Sequence, residues 1–298
     1  MGMNFWQSTH YMYWMKSISE NDLKKHNLFD RKHLTEEEIN SIHLSNISRT
    51  ELYSSSTSKV TDCCGCAVME KMGLILRIRQ IVIYTAVIFY RRFYFSQSFY
   101  NFDPHLIAGT TMFLASKVEE SQISLRNVVF VLYQCTTGGV DEDEALYEFQ
   151  EKDVLDCEFY VLQALQYDLI LHHPFQPLLQ FLDEYDLHEE CLELAWQLVQ
   201  YSFRTKIILL HPPFMVAYAA AYIACVRADY DADQIFSTLN IKIDRILSIV
   251  NEFKDAIEED NHLHVIQSAA LEKLEAILPE VAIESLPSGT KDDKSTGS

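Results

Sequence analysis

The run Phe102-Asp103-Pro104-His105-Leu106-Ile107-Ala108-Gly109-Thr110-Thr111-Met112-Phe113-Leu114-Ala115-Ser116-Lys117-Val118-Glu119-Glu120 spells out a helix with almost no solvent face. Asp103 can cap the free amides of a helix start, and Pro104 suits the first helical position because its missing N–H costs nothing there. Beyond them the small residues Ala108, Gly109, Thr110, Thr111, Ala115 and Ser116 are interleaved with Ile107, Met112, Phe113 and Leu114. A helix that is apolar or small on every side is surrounded by other helices. The run therefore predicts a central helix from Pro104 to about Glu120.

A second such helix follows. Pro213 opens a segment containing Ala217, Ala219, Ala220, Ala221 and Ala224, and an apolar helix beginning near Ala195 precedes it. Pro104 to Pro213 is a step of 109 residues, as is Ala86 to Ala195. The same offset pairs Tyr94 with Phe203, Ala108 with Ala217, Ala115 with Ala224 and Ser116 with Cys225. An ungapped helix–loop–helix correspondence predicts a structural duplication, two copies of one helical unit around a buried helix. Coincidence between two apolar helices is the competing reading. The join falls near Leu171-His172-His173-Pro174, where Pro174 and Pro177 interrupt helical continuity. Asp186 with Glu189 gives a capping-box-like start just beyond it.

Upstream, the apolar stretch from Leu74 to Phe95 contains Arg77, Arg79, Arg91 and Arg92 and predicts a buried helix with basic flanks. Thr35 with Glu38 is a capping-box pattern, whereas Ser45 to Cys66 is rich in Ser and Thr and reads mostly as loop. In the lead segment Tyr11, Trp14, Met15 and Ile18 share one helical face, with Ser8 as N-cap. So aromatic a helix must dock, on its own domain or on a partner; both remain open. Past Leu278 the chain turns to Ser, Gly, Lys and Asp, the composition of a disordered tail.

The totals agree with helices. At about 150 residues per domain, 298 residues suggest two domains. Hydrophobic residues make up 48%, enough for a core in each, and 8 Gly with 7 Pro is too little turn punctuation for a β-rich fold. Against 43 Asp plus Glu stand 24 Lys plus Arg, and the formal charge of −19 repels phosphate backbones and anionic membranes. Met1 to Lys16 is aromatic rather than signal-like, and the longest apolar run, Phe214 to Val226, falls short of the ~20 residues of a membrane span. Seven scattered cysteines fit a reducing compartment. The chain reads as soluble and intracellular.

Enzymatic groups are not evident. The sequence has no Gly-rich phosphate loop, nucleophile elbow or His-Glu-x-x-His pattern. Cys63-Cys64-Gly65-Cys66 lacks a second pair at zinc-finger spacing. His26, His33 or His43 could complete a site, but an adventitious thiol cluster is the simpler reading. His172-His173 reads as a linker satisfied by backbone hydrogen bonds, and Glu119-Glu120 and Asp141 to Glu144 as solvated carboxylates. The expectation is no catalytic residue, no metal and no cofactor.

Several motifs, in order, carry a family resemblance. They are Asn4-Phe5-Trp6-Gln7-Ser8-Thr9-His10-Tyr11, Leu76-Arg77-Ile78-Arg79-Gln80, Phe102-Asp103-Pro104 and Phe113 to Glu120. Leu155-Asp156-Cys157-Glu158-Phe159-Tyr160, His173-Pro174-Phe175-Gln176-Pro177-Leu178-Leu179 and Pro212-Pro213-Phe214-Met215 follow. Together they closely resemble the cyclin box, and within the cyclins the C type of the transcriptional group, over roughly residues 3–20 and 70–250.

The resemblance implies an all-α protein of two tandem five-helix cyclin folds. Its layout would be an N-terminal helical segment (1–35), a first box (36–170) with a loop insertion at 45–72, a second fold (171–276) and a short disordered tail (277–298). It also implies a nuclear regulatory subunit that activates a cyclin-dependent kinase of the Mediator type, within a module regulating RNA polymerase II transcription. Lys117 and Glu158 match the pair that holds backbone groups of the kinase C-helix. That contact pushes the helix inward, so that its Glu pairs with the ATP-binding Lys, and shifts the kinase population without touching phosphate. Phe5, Trp6 and Tyr11 would extend the interface as aromatic anchors. Arg79 and Asp103 match a pair that braces the fold internally. One turn after Trp196 stand Gln200 and Tyr201; C-type cyclins usually carry Asn-Asp there, so the resemblance implies a candidate groove for another Mediator kinase-module subunit with docking that would differ in this chain.

Without the resemblance, Lys117 would simply meet a helix dipole and Glu158 would be an exposed helix charge. The rival functions are a cyclin partner of another transcriptional kinase, a helical scaffold or unrecognised enzyme, and a general-transcription-factor core with tandem cyclin folds. The last binds DNA through basic faces, which a −19 chain fits poorly. Neither nucleic acid nor membrane is expected as a direct partner.

Overall fold

The computed structural model describes residues 5–15, 65–97, 102–137, 149–239 and 241–259, and every regular element among them is helical. A 3-10 turn (Phe5–Gln7) and a π-helical turn (His10–Met15) precede helices α1 (Gly65–Leu76), α2 (Gln80–Ser96), α3 (Pro104–Val118), α4 (Leu125–Thr137) and α5 (Glu151–Ala164). Then come α6 (Phe175–Glu184), α7 (His188–Ser202), the single turn α8 (Ile207–Leu210), α9 (Pro213–Arg227), α10 (Ala232–Ser237) and α11 (Ile243–Glu259).

The predicted central helix is α3. Asp103 Oδ1 accepts from the amides of His105 (2.8 Å) and Leu106 (3.1 Å), which closes the N-terminus. Ile107 through Met112 are all buried, and α1, α2, α4 and α5 pack around them. Small residues let these neighbours approach; a Cβ on Gly109 would stand 2.9 Å from Leu132 Cδ2. In the second half, α6, α7, α10 and α11 surround α9, whose alanines are buried in the same way.

The offset of 109 residues reappears in the backbone. Arg77 (φ 52°) and Glu120 (φ 50°) are left-handed, and so are Asp186 (φ 53°) and Asp229 (φ 62°). Each terminates a helix, with the next amide returning to a carbonyl five residues back: Ile78 to Gly73, Ser121 to Ser116, Leu187 to Leu182 and Tyr230 to Cys225. Charged side chains occupy positions where glycine is usual, each at a cost of roughly 1 kcal/mol. In this way a chain with only 8 glycines still turns its helices.

These caps correct three expectations. Leu74 to Phe95 is not one helix: α1 and α2 meet at a turn through Arg77 and Arg79, because Ile78 takes the Gly73 carbonyl. Residues 65–72, expected at the end of a loop insertion, form the first two turns of α1, with Cys66, Met69 and Met72 buried. Asp186 does not cap α7; it is the left-handed end of α6, and Leu187 precedes α7 without a side-chain cap. Helical continuity is interrupted at the join as expected: α5 ends at Ala164, and Pro174 and Pro177 lie at the start and in the first turn of α6, where no helical N–H is needed. Residues 45–64, the Thr35 capping box and the C-terminal tail lie outside the described residues.

Gly73 has a second duty. A Cβ there would fall 2.2 Å from Ile83 Cδ1 and 2.5 Å from Cγ1, so α1 and α2 touch through it. Overpacking of this sort costs about 1–3 kcal/mol, which outweighs the ~1 kcal/mol that alanine gains in helix propensity. Gly73→Ala should lower stability by about 1–2 kcal/mol in urea denaturation.

The lead segment docks on its own body. His172 N–H donates to His10 Nδ1 (3.2 Å), Phe5 meets His172 and Phe214 edge-on, and the Arg92 guanidinium lies 4.4 Å from the Trp14 ring centroid. Ser8 caps the following turn, its hydroxyl accepting from Tyr11 N–H (3.3 Å).

Burial, reinforced by Arg92, His172 and His173, pushes the His10 imidazole down to about 2. His173 falls to about 3 through burial, then Arg92 and His172. Both folded values lie below the unfolded value of ~6.5, so the unfolded chain binds more protons at mildly acid pH. Stability is therefore full above pH ~6.5 and drains away as pH falls. At pH 5 the loss through His10 alone is about 2 kcal/mol. Acidification from pH 7.5 to 5 should release the segment, seen as a change in Trp14 fluorescence; an unchanged signal would refute it.

Candidate functional site

Helices α3 and α5 pack side by side, and their facing positions carry Lys117 and Glu158. The Lys117 ammonium donates to both carboxylate oxygens of Glu158, at 2.6 and 2.8 Å. The same nitrogen lies 4.1 Å from the centroid of the Phe113 ring, one helical turn back on α3. The lysine side chain is 40% exposed and the glutamate 14%, so the pair opens to solvent mainly on its cationic side.

Nearby structure holds the end of α3 still. Arg79 donates to the Glu119 carbonyl, and the Thr85 hydroxyl donates to Glu119 Oε1 (2.8 Å) and contacts His173 Nε2 (2.9 Å). Beside Glu158 on α5, Leu155, Phe159 and Tyr160 are exposed, Phe159 to 74%. Leu155 and Phe159 are four apart and lie on one face. Apolar side chains left in water around an ordered ion pair are the makings of a docking surface. The 155/158/159 spacing was visible in the sequence, but nothing there distinguished an outward face from an inward one.

Arg79 and Asp103 do not form a pair. Among the described residues no ion pair joins them; Arg79 binds the carbonyl end of α3 and Asp103 caps its amide end. Both brace α3 through its backbone. Trp196 is half-buried with its ring 4.7 Å from Phe175, and Gln200 is also half-buried. Tyr201 cannot line an open groove: it is buried, and its hydroxyl donates to the Ala256 carbonyl (2.7 Å) on α11. Phe5, Trp6 and Tyr11 form one aromatic cluster on Phe214 and His172, leaving Trp6 half exposed.

Reactive chemistry is not assembled among the described residues. No three His, Cys, Asp or Glu side chains converge to hold a metal, and no helix is long and apolar enough to cross a membrane. Cys63 and Cys64 lie outside those residues, while Cys66 is buried in α1. Burial pushes the Cys135 thiol up to about 11, away from the thiolate a nucleophile needs. His211 Nε2 faces the two carboxylate oxygens of Glu252 at 2.9 and 3.0 Å as a partly buried pair, without a nucleophile.

Known proteins identify the kind of helical body this is. The family model described as "Cyclin, N-terminal domain" matches residues 32–170. Cyclin-C of Rattus norvegicus is 34% identical over 254 residues, 84% of this chain and 81% of that protein. Cyclin-C of Drosophila melanogaster is 32% identical over 261 residues, 87% and 90% of the two chains. The chain belongs to the cyclin family, whose members are regulatory subunits without catalytic activity of their own.

Among solved structures it is similar to a chain of the yeast TFIIK (Kin28/Ccl1/Tfb3) complex, with a TM-score of 0.61 and 22% identity over 85% of this chain and 100% of that one. A chain of the Chaetomium thermophilum CAK complex bound to ATP-gamma-S gives 0.60 and 17%, covering 98% of each. At these identities the likeness is one of fold.

Proposed function

We propose that this chain is a C-type cyclin that binds and activates a cyclin-dependent kinase of the Mediator type, and so regulates RNA polymerase II transcription in the nucleus. The observation that carries the proposal is the Lys117–Glu158 pair, ordered, solvent-facing and bordered by exposed Leu155 and Phe159. The carboxylate engages two of the three ammonium hydrogens. One remains to donate to a carbonyl at the end of a kinase helix, while the Glu158 oxygens keep lone pairs for a backbone N–H. The pair thus receives a helix without first being broken. Burial of Phe159 and Leu155 by that helix supplies affinity, and the ion pair fixes its position.

In this reading α1 to α5 form the first cyclin fold (36–170), and α6, α7 and α9 to α11 the second (171–276), with α8 an added turn. The two helical layers around α3 and α9 support it, as does the 109-residue recurrence of the left-handed caps. Phe5, Trp6 and Tyr11 extend the kinase contact. Trp196 and Gln200 contribute to a surface for a further Mediator-module subunit. The Mediator type is favoured over other transcriptional kinases by sequence: identity to Cyclin-C extends over more than four-fifths of the chain. Co-expression with a Mediator-type kinase should give a complex that survives gel filtration and phosphorylates a polymerase tail peptide. A kinase that elutes free and inactive would end the proposal.

A further inference from the structure

We infer that Phe113 is a positioning residue of this site: its ring face seats the Lys117 ammonium where the partner's carbonyl meets it. The inference rests on the kinase-binding reading above and adds a third member to the pair.

Lys117 is held on two sides, by the Glu158 carboxylate and by the Phe113 ring 4.1 Å away. A lysine is a point charge on a four-carbon stem with substantial rotamer freedom, which a single carboxylate restrains poorly. The ring can restrain it because packing limits the ring's own freedom: Phe113 is half-buried and packs against the hydrophobic core. Helical geometry sets the contact, since residues four apart lie one above the other. The attraction is electrostatic, between the cation and the negative face of the ring, and strengthens as water is excluded. A docking helix excludes that water. Phe113 should therefore contribute more to the complex than to the folded chain.

The second half shows what a packing role alone looks like. Tyr222 stands 109 residues after Phe113, but Val226 occupies the place of Lys117, and the Tyr222 hydroxyl donates to Asp233 (3.1 Å). There the ring fills space without a cation to seat.

The test uses the full chain and a recombinant Mediator-type kinase, titrated to half-maximal activation. Phe113→Leu keeps an apolar side chain of somewhat smaller volume and loses the ring face; Phe113→Tyr keeps both volume and ring. The Leu variant should need roughly fivefold more chain for the same activity, and the Tyr variant the wild-type amount. In a Lys117→Met background, Phe113→Leu should add nothing. By NMR of the free chain, the ring-shifted Lys117 Cε protons should return to ordinary positions in the Leu variant. Phe113→Met gives the same comparison should the Leu variant not fold. Wild-type activation by Phe113→Leu, with Lys117→Met impaired, overturns the role of Phe113 alone. A silent Lys117→Met overturns the kinase contact and this inference together.

Discussion

Glu158→Lys is expected to lower kinase activation by about a hundredfold or more while leaving the melting curve almost unmoved. The asymmetry follows from where the pair sits. With Lys117 40% exposed, the bridge contributes no more than about 1 kcal/mol to folding, because solvent screens it and two side chains are ordered to form it. In the proposed complex the partner helix would cover the same groups. A second ammonium beside Lys117 then confronts the partner with two buried like charges and no acceptor for its N–H, a loss on the order of 3 kcal/mol. The charge swap is the sharper experiment. Lys117→Glu with Glu158→Lys restores the bridge but exchanges donor and acceptor on the face presented. If the bridge served only the chain's own stability, the swap would activate normally. If it reads a helix backbone, the swap remains defective, as measured by kinase assay alongside thermal melting.

How far such a site can be read from sequence depends on whether its chemistry is local. The α3 helix was legible because its signals are contiguous: Asp103 and Pro104 start it, and small residues with bulky apolar ones show it to be central. The Lys117–Glu158 pair joins positions 41 residues apart, which no periodicity brings together; only the family resemblance placed them side by side. The break between α1 and α2 was hidden because an arginine stands where a helix end usually shows glycine. Asp186 misled for a related reason, since aspartate both caps helix starts and tolerates left-handed backbone. Tyr201 looked available until α11 supplied the Ala256 carbonyl from 55 residues away.

Arg91→Met should be the most destabilising single change considered, at about 3–5 kcal/mol. Arg91 lies on α2 with its guanidinium buried, and burial lowers its pKa. Its Nη1 donates to the carbonyls of Phe203 (2.7 Å) and Thr205 in the turn after α7. Those carbonyls follow the end of a helix and lie at buried residues. A methionine of similar length fills the space and leaves both without this donor. The expected cost is therefore the desolvation of two acceptors, beyond the loss of one ordinary hydrogen bond.

Position matters as much as magnitude. Arg91 ties the first half to the second, as do the Arg204–Glu70 ion pair and the tilted packing of Tyr84 on Phe203 at 4.4 Å between ring centroids. Without Arg91 the two halves should cease to unfold as one. Urea denaturation followed at Trp196 fluorescence and by far-ultraviolet circular dichroism should then give separated midpoints, whereas the wild-type curves should coincide. A variant that keeps the wild-type midpoint and coincident curves would show that the halves are held by apolar packing and that the arginine is dispensable.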